Sequence, residues 1–204
     1  MTGEERDVSG NFEQYPQSNV GIGEILFRYR DYTPIPLIVL LFIFCKPTAL
    51  SATLGLLAIA LGEVIRIYSV AFIGSISRTR KDHTGARLIK EGPFGYVRNP
   101  LYVGNFFIAT GVAVFAGRPW LIVLSVLLFA VQYYFIVTYE EAILLDRFGE
   151  EYETYRQSVP AWIPSHPVEI DDIVSPPALR PALRSESQTL MAIGGMITLL
   201  LVFG

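Results

Sequence analysis

"RNPLYVGNFFIATGVAVFAGRPWLIVLSVLLFAVQYYFIVTYEE", residues 98 to 141, holds two apolar runs joined by one tight turn and bounded at both ends by charge. The first run, 100–117, starts at Pro100, and the second, 119–139, starts at Pro119 after "AGR". Proline suits a first helical position and glycine a helix end, so Gly117 and Pro119 mark one helix stopping and the next beginning. A helix needs roughly 20 apolar residues, within a range of 17–25, to cross the hydrocarbon of a bilayer. Both runs qualify. At 1.5 Å per residue the legs measure roughly 27 Å and 31 Å. A hairpin with legs so nearly equal brings Arg98, Asn99 and Tyr102 to the depth of Glu140 and Glu141.

The rest of the chain repeats this character. Its 204 residues are 51% hydrophobic and 17% charged, with a mean hydropathy of +0.42. Further apolar runs cover 34–45, 49–74 and 189–204, too much greasy surface for so short a chain to bury in a soluble core. The expected fold is all-α: a polytopic membrane protein of about five transmembrane helices arranged as helical hairpins. Residues 1–23 read as a polar tail, 24–165 as the membrane domain, 166–188 as a proline-containing linker and 189–204 as a hydrophobic C-terminal helix. The acidic N-terminal "GEERD" is unlike a signal peptide, so the first apolar helix is expected to do its own targeting.

Of the sixteen lysines and arginines, thirteen fall before the first run, between residues 75 and 99, or after the fourth run. Lys46 and Arg118 fall in the two short turns, and Arg66 lies inside a run. The excess of positive charge predicts a multi-pass protein with its N-terminus and the 75–99 segment cytoplasmic. Trp120 is placed at the outer interface and Tyr133, Tyr134 and Tyr139 towards the inner one. Single Cys45 and the widely spaced His83 and His166 give no support for a metal site, and nothing points to nucleic acid.

The charged end of the hairpin carries the chemistry. Asn99 and Pro100 make a good helix start, whose exposed N–H groups attract anions. Gly92 and Gly95 let the preceding backbone approach a ligand. Glu140 and Glu141 offer carboxylates for an ammonium group or ribose hydroxyls. A ligand with a carboxylate, a nearby ammonium and a nucleoside suits this pocket; S-adenosylmethionine is one. Taken singly, each residue has a plainer reading: Arg98 as an interfacial anchor, Asn99 as a helix start, the glutamates as a solvated turn, and Glu63 with Arg66 as an i, i+3 pair. Their convergence favours a site.

"LIKEGPFGYVRNPLYVG", the apolar hairpin and "YEEAILLDRFGEEYETYRQSVPAWIP" together resemble the membrane methyltransferase family of isoprenylcysteine carboxyl methyltransferases and phospholipid N-methyltransferases. "EVIRIYSVAFIG" is similar to the helix that precedes the glycine-rich loop in those enzymes. The resemblance covers about residues 55–164. It implies S-adenosylmethionine in a pocket at the cytoplasmic face and methyl transfer to a lipid or prenylated substrate entering from the bilayer. Carried over by position, the cofactor site includes Gly92, Pro93, Tyr96, Arg98, Asn99, Pro100, Tyr102, Glu140 and Glu141, with His83 added from nearby, and Arg98 and Glu141 act in catalysis. The carboxyl methyltransferases usually have histidine where this chain has Asn99, which cannot serve as a base. That departure, and the repulsion of a carboxylate by unpaired glutamates, favour an amine acceptor over a carboxylate. The alternatives are an NADPH-dependent membrane reductase of the sterol-reductase type and a non-catalytic membrane scaffold.

Overall fold

The computed structural model describes residues 15–73, 87–165 and 178–203, and all regular structure among them is helical. In chain order the helices are α1 (Gln17–Arg28), α2 (Ile35–Phe44), α3 (Ala49–Ile73), α4 (Pro100–Phe115), α5 (Pro119–Phe148), α6 (Glu150–Ser158) and α7 (Leu179–Phe203). A 3-10 turn, Gly92–Gly95, precedes α4. Both hairpin prolines sit at the first helical position as expected. Two described helices, α3 and α5, are long and apolar enough to cross a membrane, whereas α2 and α4 are apolar but shorter.

The most extensive helix pair is α3 with α4, and glycine explains it. A Cβ on Gly55 would lie 2.6 Å from the Gly111 carbonyl oxygen, and one on Gly62 would lie 2.6 Å from that of Gly104. The two backbones therefore touch directly at two levels, seven residues apart on each helix. Small residues permit this approach inside a bilayer, and a seven-residue spacing returns to the same face of both helices. Ile59, Val112, Ala113 and Phe115 fill the core beside this seam.

The two short turns meet at one end of the bundle. Lys46 N–H donates to the Ala116 carbonyl at 2.9 Å, and Arg118 Nε donates to that of Phe44 at 3.2 Å. Gly117, at φ +71°, leaves its backbone within reach of Lys46: a Cβ there would meet the Lys46 oxygen at 2.4 Å. Trp120 packs edge-on against Phe44 at 5.2 Å on the same end. The two turns placed together by their charge content are thus neighbours.

Three expectations are corrected. The first run yields only the ten residues of α2, and α2 leans on α7 more than on α3, so the expected α2–α3 hairpin is loose. The polar tail drawn to residue 23 is helical from Gln17 and packs on α5. Glycine and asparagine lower helix propensity there, but Gly23 gives α1 its fit: a Cβ would clash with the Phe135 carbonyl at 2.2 Å. The linker drawn to residue 188 ends earlier, because α7 starts at Leu179.

α7 runs along α3 in the opposite direction. Ala182 packs with Val70 and Ala71 at one end, and Leu200 joins Leu41 and Cys45 at the other. Between these ends Glu186, fully buried, accepts from Arg66 Nη2 at 2.8 Å. Arg66 Nη1 also donates to Asn105 Oδ1 of α4. Asn105 Nδ2 donates in turn to the Tyr133 hydroxyl at 3.1 Å, so one polar chain threads α7, α3, α4 and α5.

Candidate active site at the charged end of the hairpin

The predicted convergence is present. Arg98 Nη2 and Nε donate to Glu141 Oε1 at 2.7 and 3.1 Å. Its Nη1 donates to the carbonyls of Arg156 and Val159 at 2.9 and 2.6 Å. Four of the five guanidinium N–H groups are thereby engaged. The side chains are only 12% and 10% exposed. Such charge-assisted bonds are stronger than neutral ones, and here they tie the start of α4 to α5 and to the end of α6.

Tyr15 completes the knot. Its hydroxyl donates to Glu141 Oε2 at 3.0 Å and accepts from Arg156 Nη1 at 3.0 Å. Burial, and then the Glu141 charge, push the Tyr15 phenol up to about 12, so it stays a donor. Tyr152 and Tyr155 pack beside it with Leu145, and burial raises both phenols above their ordinary range.

Glu140, one residue along, faces different company. It accepts from the Tyr102 hydroxyl at 2.7 Å. The Tyr102 ring lies 4.7 Å from Tyr133, which stacks on Phe129 at 4.0 Å. Neighbouring residues of a helix point about 100° apart, so the two glutamates serve two separate niches. One is carboxylate and aromatic; the other is a salt-bridged knot.

The start of α4 differs from expectation. Asn99 occupies the cap position without a side-chain capping bond, and its Nδ2 donates instead to the Ala161 carbonyl at 3.2 Å. The Arg98 N–H donates to the Pro160 carbonyl at 2.9 Å. Segment 159–161 thus covers the residues that lead into α4. Pro100 is buried in the first turn of the helix.

The glycine-rich turn is likewise held by protein. Gly92 has φ +59°, and a Cβ on it would lie 2.5 Å from the Phe72 ring, so the turn needs glycine there for its close packing. Pro93 accepts the Tyr96 N–H at 3.3 Å, and the Phe94 carbonyl accepts from the Tyr155 hydroxyl at 2.7 Å. His83 lies outside the described residues. Among the described residues no group of His, Cys, Asp or Glu is arranged to hold a metal.

Beside the knot is a cavity of about 270 Å³. Arg98, Glu141, Tyr15 and Asn19 give it a polar end, while Val137, Tyr134 and Trp162 give it apolar walls. Tyr134 is more than half exposed on the outer surface of α5. The space suits an amphipathic group with its head at Glu141. Sequence reasoning missed Tyr15, Arg156 and the 159–161 carbonyls. The one available signal was the aromatic and basic cluster "YETYR", whose partners no local pattern specifies.

A family model described as phospholipid methyltransferase matches residues 50–151, half of the chain, and takes in Arg98, Asn99, Tyr102, Glu140 and Glu141. The Protein-S-isoprenylcysteine O-methyltransferase of Schizosaccharomyces pombe is 36% identical over 127 residues, covering 57% of this chain and 50% of the relative. The human protein of that name is 34% identical over 122 residues, covering 57% and 42%. The cobalt-zinc-cadmium resistance protein CzcN of Cupriavidus metallidurans is 30% identical over 112 residues, covering 55% and 48%. The matched stretch thus spans about half the length of these curated relatives, or somewhat less. Arg98, Asn99, Tyr102, Glu140 and Glu141 all lie within the family match, and the chain belongs to the phospholipid methyltransferase family.

Proposed function

We propose that the chain is an integral membrane methyltransferase that uses S-adenosylmethionine and methylates the carboxylate of a prenylated cysteine. The observation that carries this reading is the pairing of two niches at one end of the hairpin, with Arg98 and Glu141 in one and Tyr102 and Glu140 in the other, four residues inside the family match. The relatives named as isoprenylcysteine O-methyltransferases supply the substrate class. In this reading the bundle is multi-pass, with about five crossing helices, and its charged end and N-terminus face the cytoplasm.

The residues fit the donor. Glu140, with the Tyr102 and Tyr133 rings beside it, suits a cationic sulfonium, which an aromatic face and a carboxylate both attract. When bound, S-adenosylmethionine supplies the methyl group and leaves as a neutral thioether. Tyr96, Asn99, Pro100 and the Gly92–Pro93 turn are assigned to donor binding by their place in the family motif. Arg98, on the cavity wall with Glu141, holds the anionic acceptor head and Glu141 orients Arg98, so that the pair acts in catalysis by orientation. Aligning donor and acceptor can lower a barrier by roughly 7–11 kcal/mol.

The structure removes one premise of the amine reading. Glu141 is paired with Arg98 and Glu140 accepts a phenolic hydrogen, so neither is a bare charge facing the acceptor. A carboxylate also needs no base, which fits the presence of Asn99. The reductase and scaffold readings gain no support from the matched family.

Purified chain in detergent is expected to bind S-adenosylhomocysteine by calorimetry. It is also expected to transfer radiolabelled methyl to an S-farnesylated N-acetylcysteine, and mild base should release the label as methanol. Base-stable label on an amine lipid restores the amine reading, and binding of NADPH alone restores the reductase. Topology has its own test. Cysteine placed at Ser158 should react with an impermeant reagent only from the cytoplasmic side, and cysteine at Arg118 only from the other. Labelling of both from one side refutes the orientation.

A further inference from the structure

The family match begins at residue 50, yet the knot around Glu141 reaches back to residue 15. The segment that carries Tyr15 is anchored along α5. Gly23 of α1 meets the Phe135 carbonyl, and Phe27 tilts against Tyr139 at 5.8 Å. The Tyr15 ring packs on the Leu145, Tyr152 and Tyr155 cluster, with the Arg156 guanidinium over it at 5.8 Å.

The division of bonds on Glu141 gives Tyr15 its role. Both Arg98 contacts fall on Oε1, so Arg98 alone leaves the carboxylate able to pivot about that oxygen. Tyr15 holds Oε2 at 3.0 Å and so sets the plane of the group. Arg156 donates to the same hydroxyl, which directs the phenolic proton towards Glu141. Tyr15, Pro16 and Asn19 also form one wall of the cavity that Arg98 and Glu141 line.

We propose that Tyr15 is a positioning residue of the methyl-transfer site: its hydroxyl fixes the Glu141 carboxylate, and its ring closes one wall of the cavity that receives the acceptor. This inference rests on the methyltransferase reading above. It assigns to the N-terminal segment a share in acceptor selection.

The test compares the full chain with Tyr15→Phe and Tyr15→Ala. It reads S-adenosylhomocysteine binding by calorimetry, and kcat and KM with S-farnesylated N-acetylcysteine. Tyr15→Phe keeps the ring and removes one hydrogen bond, so kcat should fall about tenfold. Acceptor KM and S-adenosylhomocysteine Kd should stay within about twofold. Tyr15→Ala opens the wall, and acceptor KM should rise about tenfold as well. A loss of fold would weaken donor binding in step with activity and show no such split. If Tyr15→Ala does not fold, Tyr15→Phe decides the matter. Both kcat and KM within about twofold of the parent in Tyr15→Phe overturn the inference and leave the methyltransferase reading standing. A parent chain that neither binds S-adenosylhomocysteine nor transfers methyl overturns that reading, and this inference with it.

Discussion

Arg98→Ala is expected to cost about 3–5 kcal/mol of stability, because it strands the nearly buried Glu141 carboxylate without its counter-ion. The carbonyls of Arg156 and Val159 lose their donor in the same step, so the end of α6 should loosen with it. Glu141→Gln keeps the shape and removes the charge, leaving Arg98 uncompensated. Its cost should fall in the same range of about 3–5 kcal/mol. The double variant Arg98→Met/Glu141→Leu separates two roles of the pair. Removing both charges should recover part of the stability, since a buried ion pair is often no better than well-packed apolar groups. It should recover no methyl transfer. Denaturant unfolding in detergent gives the first quantity and radiolabel transfer the second. Full activity in the double variant would show that the pair is structural alone.

The second large effect is expected at the glycine seam. Gly62→Val sets new atoms against the Gly104 carbonyl, and Gly55→Val sets them against Gly111 and the Phe115 backbone. Overpacking commonly costs 1–3 kcal/mol, and here the obstruction on each side is backbone, which cannot turn away as a side chain can. About 3 kcal/mol for each variant is the expected loss, read as a lowered unfolding midpoint. Gly194→Ala is the control, because a Cβ there meets nothing within 4 Å in α7. It should be neutral or stabilise by up to about 1 kcal/mol. Equal losses at Gly62 and Gly194 would mean that close α3–α4 contact is not what the glycines supply.

The parts of the site legible in the sequence were those that helix geometry dictates. Two apolar legs of similar length had to bring Arg98 and Tyr102 level with Glu140 and Glu141, and charge supplied the pairing. The shared end of the two short turns followed from their low content of lysine and arginine. Tyr15 was not legible, because its partner lies 126 residues away and α1 owes its position to close packing rather than propensity. The cover on the start of α4 was hidden for a similar reason: segment 159–161 acts through backbone carbonyls, which every residue has. Gly55, Gly62, Gly104 and Gly111 did carry a visible signal, the same seven-residue interval in two neighbouring runs. Reading it required knowing that those two helices are partners.

The buried contact between Arg66 and Glu186 also orders events in time. The two residues are 120 positions apart, and ribosomes add roughly 5–20 residues per second. Arg66 therefore emerges about 6–24 s before Glu186 exists. Throughout that interval α3 carries Arg66 and Glu63 within its apolar length without the Glu186 partner, and hydrocarbon tolerates such charged groups poorly, drawing them towards water or an accessory protein. The bundle can close around its polar chain only after α7 is made. A chain cut short before Leu179 would remain in the waiting state, with α3 a candidate for retention by the insertion machinery or for removal by membrane proteases.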